Sequence, residues 1–165
     1  MRRMIMDAIR QDPEWLHGEY KTPPRGLVSA IHILMMMSSS PLQWQKEAPT
    51  RDLADQFFDT WIKARLERTD ANDFLYQVDA SRDYDPAPQL EKIKALLLAI
   101  NSADDQVNPP ELGIMEKEIR RVKRGRFILI PISDRTRGHG THSLPELWKE
   151  HLAALLESSP MPAAE

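Results

Sequence analysis

Apolar positions along this chain follow two rhythms. Up to about residue 86 they recur at helical spacing. Met1, Ile5, Ala8 and Ile9 share one side of "MRRMIMDAIR", and "LVSAIHILMMM" is apolar almost all round, as in a helix buried on most sides. Thr50 is placed to cap "RDLADQFFDTWIKARLER", where Leu53, Phe57, Phe58, Trp61 and Ile62 form a broad apolar stripe. Thr69 and Asp70 are placed to start a helix over "ANDFLYQVDASRD", with Phe74, Leu75 and Val78 facing inward. The Pro- and Gly-broken "QDPEWLHGEYKTPPRG" and the stretch "SSSPLQWQKEAP" read as connections.

From residue 90 the rhythm changes. "ALLLAI" (95–100) and "FILIPI" (127–132) are continuous apolar runs, as expected of strands covered on both faces, with Pro131 near a sheet edge or end. Between them, "NPPELGIMEKEIRRVKRG" predicts one helix. Asn108 would cap it, Pro109 would open it and Glu111 would reach back. Leu112, Met115, Ile119 and Val122 form its stripe, and Gly125 ends it. Ser143 to Glu146 reads as a capping box for a last helix whose inner face is Leu147, Trp148, His151, Leu152 and Leu155. The strands of such a strand-helix-strand-helix unit run parallel, joined by a right-handed crossover. Two strands alone leave apolar faces and outer edges open. Together with a first helix that begins without a cap, this points to further sheet supplied from outside the sequence.

Composition narrows the function classes. At 165 residues the chain is one domain at most, and 41% apolar with 28% charged residues is ordinary for a globular protein. A net charge of −3 offers no basic excess for nucleic acid. The absence of Cys removes disulfides, thiolate metal sites and a Cys nucleophile. No run of about 18 apolar residues predicts a membrane span. The start lacks the features of a signal peptide. The cytoplasm is therefore the default location, with any export signal expected upstream of this sequence.

Ligands of open α/β sheets gather beyond the carboxyl ends of the strands. Asp104 and Asp105 follow the first strand; Asp134, His139 and His142 follow the second, the histidines in "RGHGTHS". A carboxylate from one loop and an imidazole from the next make a general-base pair if they meet. The simpler alternatives are an Asp-Asp turn that satisfies backbone N–H groups and two solvated histidines. No third ligand at a recognisable spacing supports a metal. His17, His32 and His151 read as loop, buried-helix and helix-face residues, Met35 to Met37 as core, and "RRVKRGR" as a solvated helix face.

The segments "DAIRQDPEW", "PPRGL", "DANDFLYQVDASRDYD", "LEKIKALLLAINSADDQVNPPEL" and "RGHGTHS" together resemble the homoserine O-acetyltransferase-like branch of the α/β-hydrolase superfamily, over about residues 2–156. The resemblance implies an α/β fold class, an incomplete α/β-hydrolase fold in which a helical cap (1–86) precedes the parallel strand-helix-strand-helix core (87–158). A disordered tail (159–165) follows. It implies that Asp105, in the pattern Asp-x-x-x-Pro-Pro-Glu-Leu, is the acid of a catalytic triad. The base would be His139, which follows Gly in the "GH" loop, with His142 the runner-up. The implied substrate is a small-molecule ester or acyl-CoA, with no cofactor, metal, nucleic-acid or membrane partner, and a homodimer through cap helices is possible in the family.

Two features depart from the family pattern. No Gly-x-Ser-x-Gly nucleophile elbow occurs, and Ser38, Ser39 and Ser40 lie in a cap connection. The expectation is thus the C-terminal portion of a serine-dependent acyl hydrolase or acyltransferase, inactive alone. A non-catalytic truncated paralogue, acting as a binding module or an unstable fragment, is the alternative. The family's homoserine enzymes read Gly-His-Asp in the second loop, where the Asp helps bind the acceptor's amino group. Gly140 stands in that place here, which fits an ester hydrolase at least as well.

Overall fold

The computed structural model describes residues 1–159. The expected tail lies, apart from Ser159, outside the described residues. The chain forms two compact units, one from Met1 to Tyr84 and one beginning at Asp85.

The first unit is helical: α1 (Arg2–Arg10), α2 (Arg25–Ser38), α3 (Pro41–Glu47), α4 (Arg51–Leu66) and α5 (Ala71–Ala80), with a 3₁₀ turn over Pro13–Gly18. Ile5 and Ile9 of α1, Leu27, Ala30 and Ile31 of α2, and Ala71, Phe74 and Leu75 of α5 form one buried cluster. α1 and α2 close to backbone contact at Gly26, where a Cβ would stand 2.0 Å from the Ala8 carbonyl oxygen. The Gly26 N–H also donates to Asp12 Oδ2 at 2.5 Å. Polar contacts seat the 3₁₀ turn: Trp15 Nε1 donates to Asn72 Oδ1 at 2.8 Å, and Asn72 Nδ2 donates to the Gly18 carbonyl at 3.0 Å. Asp70 caps α5 by accepting the Asn72 and Asp73 N–H groups, and the Tyr20 hydroxyl donates to the same carboxylate. Thr50 caps α4 by accepting the Leu53 N–H.

Several expectations in this unit need correction. "PLQWQKE" is the helix α3 and not a connection: the Pro that reads as a breaker sits at the first helical position, where its missing N–H costs nothing. Of the α4 stripe only Ile62 is buried, while Leu53 and Phe58 stay exposed. Met1 is exposed, and Met6 joins Ile5 and Ile9 in its place.

The second unit holds two parallel strands, β1 (Leu97–Ser102) and β2 (Gly125–Ile130), in a register that sets Leu97 beside Gly125 and Ser102 beside Ile130. Their carboxyl ends therefore emerge side by side. The strands are half-buried rather than covered on both faces. Between them the expected single helix is divided. A 3₁₀ turn over Pro110–Leu112 ends at Gly113, which has φ 65°; then come α6 (Ile114–Glu118) and a second 3₁₀ turn over Ile119–Arg121. The reversal at Gly113 turns Leu112 and Met115 out to solvent and leaves Ile119 and Val122 as the buried pair. Asn108 is not a cap: its side-chain amide donates to Asp105 Oδ2, and Pro109 holds the N-cap position of the turn that follows. Gly125 opens β2 instead of ending a helix.

The last helix, α7 (Lys149–Ser158), starts later than expected. The capping box does not form: Ser143 Oγ donates back to the Gly140 carbonyl, and Pro145–Leu147 make a separate 3₁₀ turn. Leu152 of its expected inner face is exposed. The basic segment is not only solvated, since Arg121 forms a bidentate pair with Glu91 and also binds Glu118. Among the described residues no helix is long and apolar enough to cross a membrane.

Candidate active site

The register of β1 and β2 brings the loops beyond Ser102 and Ile130 together, and the candidate residues lie in those loops. Asp105 is the more deeply set. Its Oδ1 accepts the N–H groups of Val107 (2.7 Å) and Asn108 (3.1 Å) in an Asx turn. Its Oδ2 accepts Asn108 Nδ2 at 3.3 Å and lies 3.1 Å from His139 Nδ1. The carboxylate side chain is 3% exposed and the imidazole 39%. Burial alone would raise the Asp105 pKa. The hydrogen bonds from His139, Asn108 and Val107 together outweigh it and hold the carboxyl below the ordinary carboxylate value.

An ionised carboxylate only accepts, so the proton of the shared hydrogen bond sits on His139 Nδ1. The lone pair is then left on Nε2. Nε2 has no hydrogen-bond partner among the described residues, and His139 lines a cleft of about 330 Å³ with Ser102, Asp105, Asn108, Thr141, His142 and Trp148 among its walls. This is the arrangement of a general base: one nitrogen fixed by an anion that stabilises the imidazolium, the other free to take a proton.

His139 is carried on a tight turn. Gly138, at φ 54°, is in the left-handed region that a side chain disfavours. Gly140 N–H donates to the Arg137 carbonyl at 2.9 Å, and Thr141 Oγ1 accepts the Arg137 N–H at 2.8 Å. His142 is differently employed. Its Nδ1–H donates to the His139 carbonyl at 2.5 Å, and its ring lies 5.1 Å from that of His139, tilted by 55°. It shares the cleft wall but pairs with no carboxylate among the described residues. Asp134 does not line the cleft. Elsewhere, His32 packs against Phe58 and His17 against Trp15. Ser38 donates to the Met35 carbonyl, and Ser40 is buried at the start of α3. Among the described residues no group of three or more His, Asp or Glu is placed to hold a metal ion.

Three polar residues in these loops escape a reading by motif: Ser102, Asp104 and Thr136. Asp104 Oδ1 accepts the Ser102 hydroxyl at 2.5 Å, and its Oδ2 lies 2.9 Å from Thr136 Oγ1. Thr136 is fully buried. Burial would raise the Asp104 pKa, but hydrogen bonds from Ser102, Thr136 and the Gly138 backbone lower it on balance. The only sequence signal for this group was the first Asp of "ADD".

The architecture has solved counterparts. The structure is similar to the crystal structure of homoserine O-acetyltransferase from Bacillus anthracis, with a TM-score of 0.78 at 18% sequence identity over 96% of this chain and 48% of that one. It is also similar to the acetyl esterase MekB, with a TM-score of 0.68 at 21% identity over 95% of this chain and 50% of that one. The chain thus has an α/β-hydrolase fold, of which it spans about half the length seen in those two enzymes. No family model and no curated protein matches its sequence.

Proposed function

We propose that this chain is the acid- and base-bearing portion of a serine-dependent acyl hydrolase or acyltransferase. The observation that carries the reading is the 3.1 Å contact between buried Asp105 and His139, a residue that also lines a cleft. His139 would take the proton of a serine hydroxyl as it attacks an acyl carbonyl, then return it to the leaving group. Asp105 acts through His139, holding its tautomer and stabilising its cationic form. The residues up to Tyr84 would serve as the cap. The serine, on a Gly-x-Ser-x-Gly elbow, would come from a segment outside this sequence. Gly140, without a carboxylate for a cationic acceptor, favours water or an uncharged alcohol over homoserine.

The test is to read the frame encoded upstream of Met1, express the longer product and assay p-nitrophenyl acetate. An in-frame elbow is expected, with hydrolysis reduced at least about a thousandfold by His139→Ala and retained in His142→Ala. Activity that survives His139→Ala would sink the reading. The second reading, a binding module without turnover, is favoured by one feature: no hydroxyl reaches His139 Nε2 among the described residues. It predicts no elbow upstream and ANS binding by the chain as it stands.

A further inference from the structure

Asp104 has a task that the acid–base pair does not describe. Its two carboxylate oxygens face different loops. Oδ1 takes the hydroxyl of Ser102, the last residue of β1, and Oδ2 faces the hydroxyl of Thr136, three residues before His139. Ser102 is 2% exposed and Thr136 0%. Thr136 has a single hydroxyl proton and two acceptors in reach, Asp104 Oδ2 at 2.9 Å and the Ser133 carbonyl at 3.0 Å. The charged oxygen is the stronger acceptor. The Thr136 oxygen in turn accepts the Ser133 N–H, and the Gly138 backbone also bonds to Asp104, so the carboxylate grips the second loop immediately before its imidazole.

We propose that Asp104 is a positioning residue, a buried clamp between the loops after β1 and β2 that holds His139 in register with Asp105. The proposal rests on the acid–base reading of Asp105 and His139. An Asp-Asp turn that merely satisfied its own backbone would not need both oxygens engaged by hydroxyls, one at the end of β1 and one in the loop after β2. Without the clamp, the link from Asp105 to the second loop would run through the His139 imidazole, itself the group to be positioned. The distance between acid and base would then vary with the loop.

The test uses the chain as it exists, with ¹⁵N-histidine NMR on the wild type and on Asp105→Asn, Asp104→Ala, Asp104→Asn and Thr136→Val. Two signals are read: the His139 titration midpoint and its hydrogen-bonded Nδ1 proton. Amide protection in β1 and β2 reports an intact sheet. Asp105→Asn should lower the midpoint and abolish the Nδ1 proton signal; if it changes neither, the acid–base reading itself fails. Asp104→Ala should shift both signals in the same direction, and Asp104→Asn, which keeps one accepting oxygen, should restore them in part. Thr136→Val removes the hydroxyl without changing charge, so a shift there reports geometry rather than a lost field. Wild-type signals in Asp104→Ala overturn the clamp while leaving the pair intact. Should Asp104→Ala not fold, Thr136→Val decides by the same criterion.

Discussion

The two units differ in which kind of residue dominates their interiors. Every buried apolar core residue except Ile119 and Val122 belongs to the first unit, where Ile9, Leu27, Ala30, Ile31 and Ala71 are sealed completely. In the second unit the buried set also includes Ser102, at the carboxyl end of β1, and Asp105, Thr136 and Thr141 in the loops beyond the strands. The first unit is held by non-directional packing, which tolerates any side chain of similar volume. The second devotes its interior to directional contacts that stabilise little on balance but are costly to leave unmade. Interior polarity is thus concentrated around the candidate site, with Ser40 and Gln43 the buried polar residues of the first unit.

That contrast is open to attack by mutation. The largest effect is expected from Leu27→Ala, which empties a fully buried site in the first unit and should cost about 2–5 kcal/mol in urea unfolding. If Val122→Ala cost as much, the second unit would have an apolar core equal to the first and the contrast would collapse. Asp105→Asn should cost about 1.5–3 kcal/mol at neutral pH, the scale of hydrogen bonds to a charged group.

The pH dependence sharpens the same point. Asp104 and Asp105 both have pKa values lowered by folding. Their stabilisation is therefore complete above the ordinary carboxylate pKa of about 4 and fades as pH falls through the lower folded values. Urea midpoints measured from neutral to strongly acidic pH should show this loss, with a flatter acid limb in Asp105→Asn. Asp70→Ala, which deletes the α5 cap in the first unit, should cost about 0.5–2 kcal/mol and is read from the same denaturation curves. Smallest is Arg121→Gln. Its pairs with Glu91 and Glu118 are exposed, so the effect on the urea midpoint should shrink further in high salt.

What the sequence disclosed follows the same division. Apolar spacing located α1, α2, α4 and α5, because helical periodicity records which side faces a core. It overstated α4, because an apolar stripe does not reveal whether a neighbour covers it. Local rules failed where a competing contact three residues back won. Asn108 reads as a helix cap, but its side-chain amide turns back to Asp105, and Ser143 reads as the start of a capping box, but its hydroxyl turns back to Gly140. Asp105 and His139 were legible as candidates through their motif. The partners of Asp104 were not, since Ser102 and Thr136 are ordinary residues whose meeting depends on strand register.

Trp148 carries a practical consequence. Of the four tryptophans, Trp15, Trp44 and Trp61 belong to the first unit and only Trp148 to the second. Its indole N–H donates to the His142 carbonyl at 3.1 Å, on the wall of the cleft that holds His139. Replacing the other three with Phe would leave a single fluorophore attached to the loop that bears His139. Ligand entry, loop release and acid titration of the site would then each register as light from one residue, separate from the melting of the helical unit.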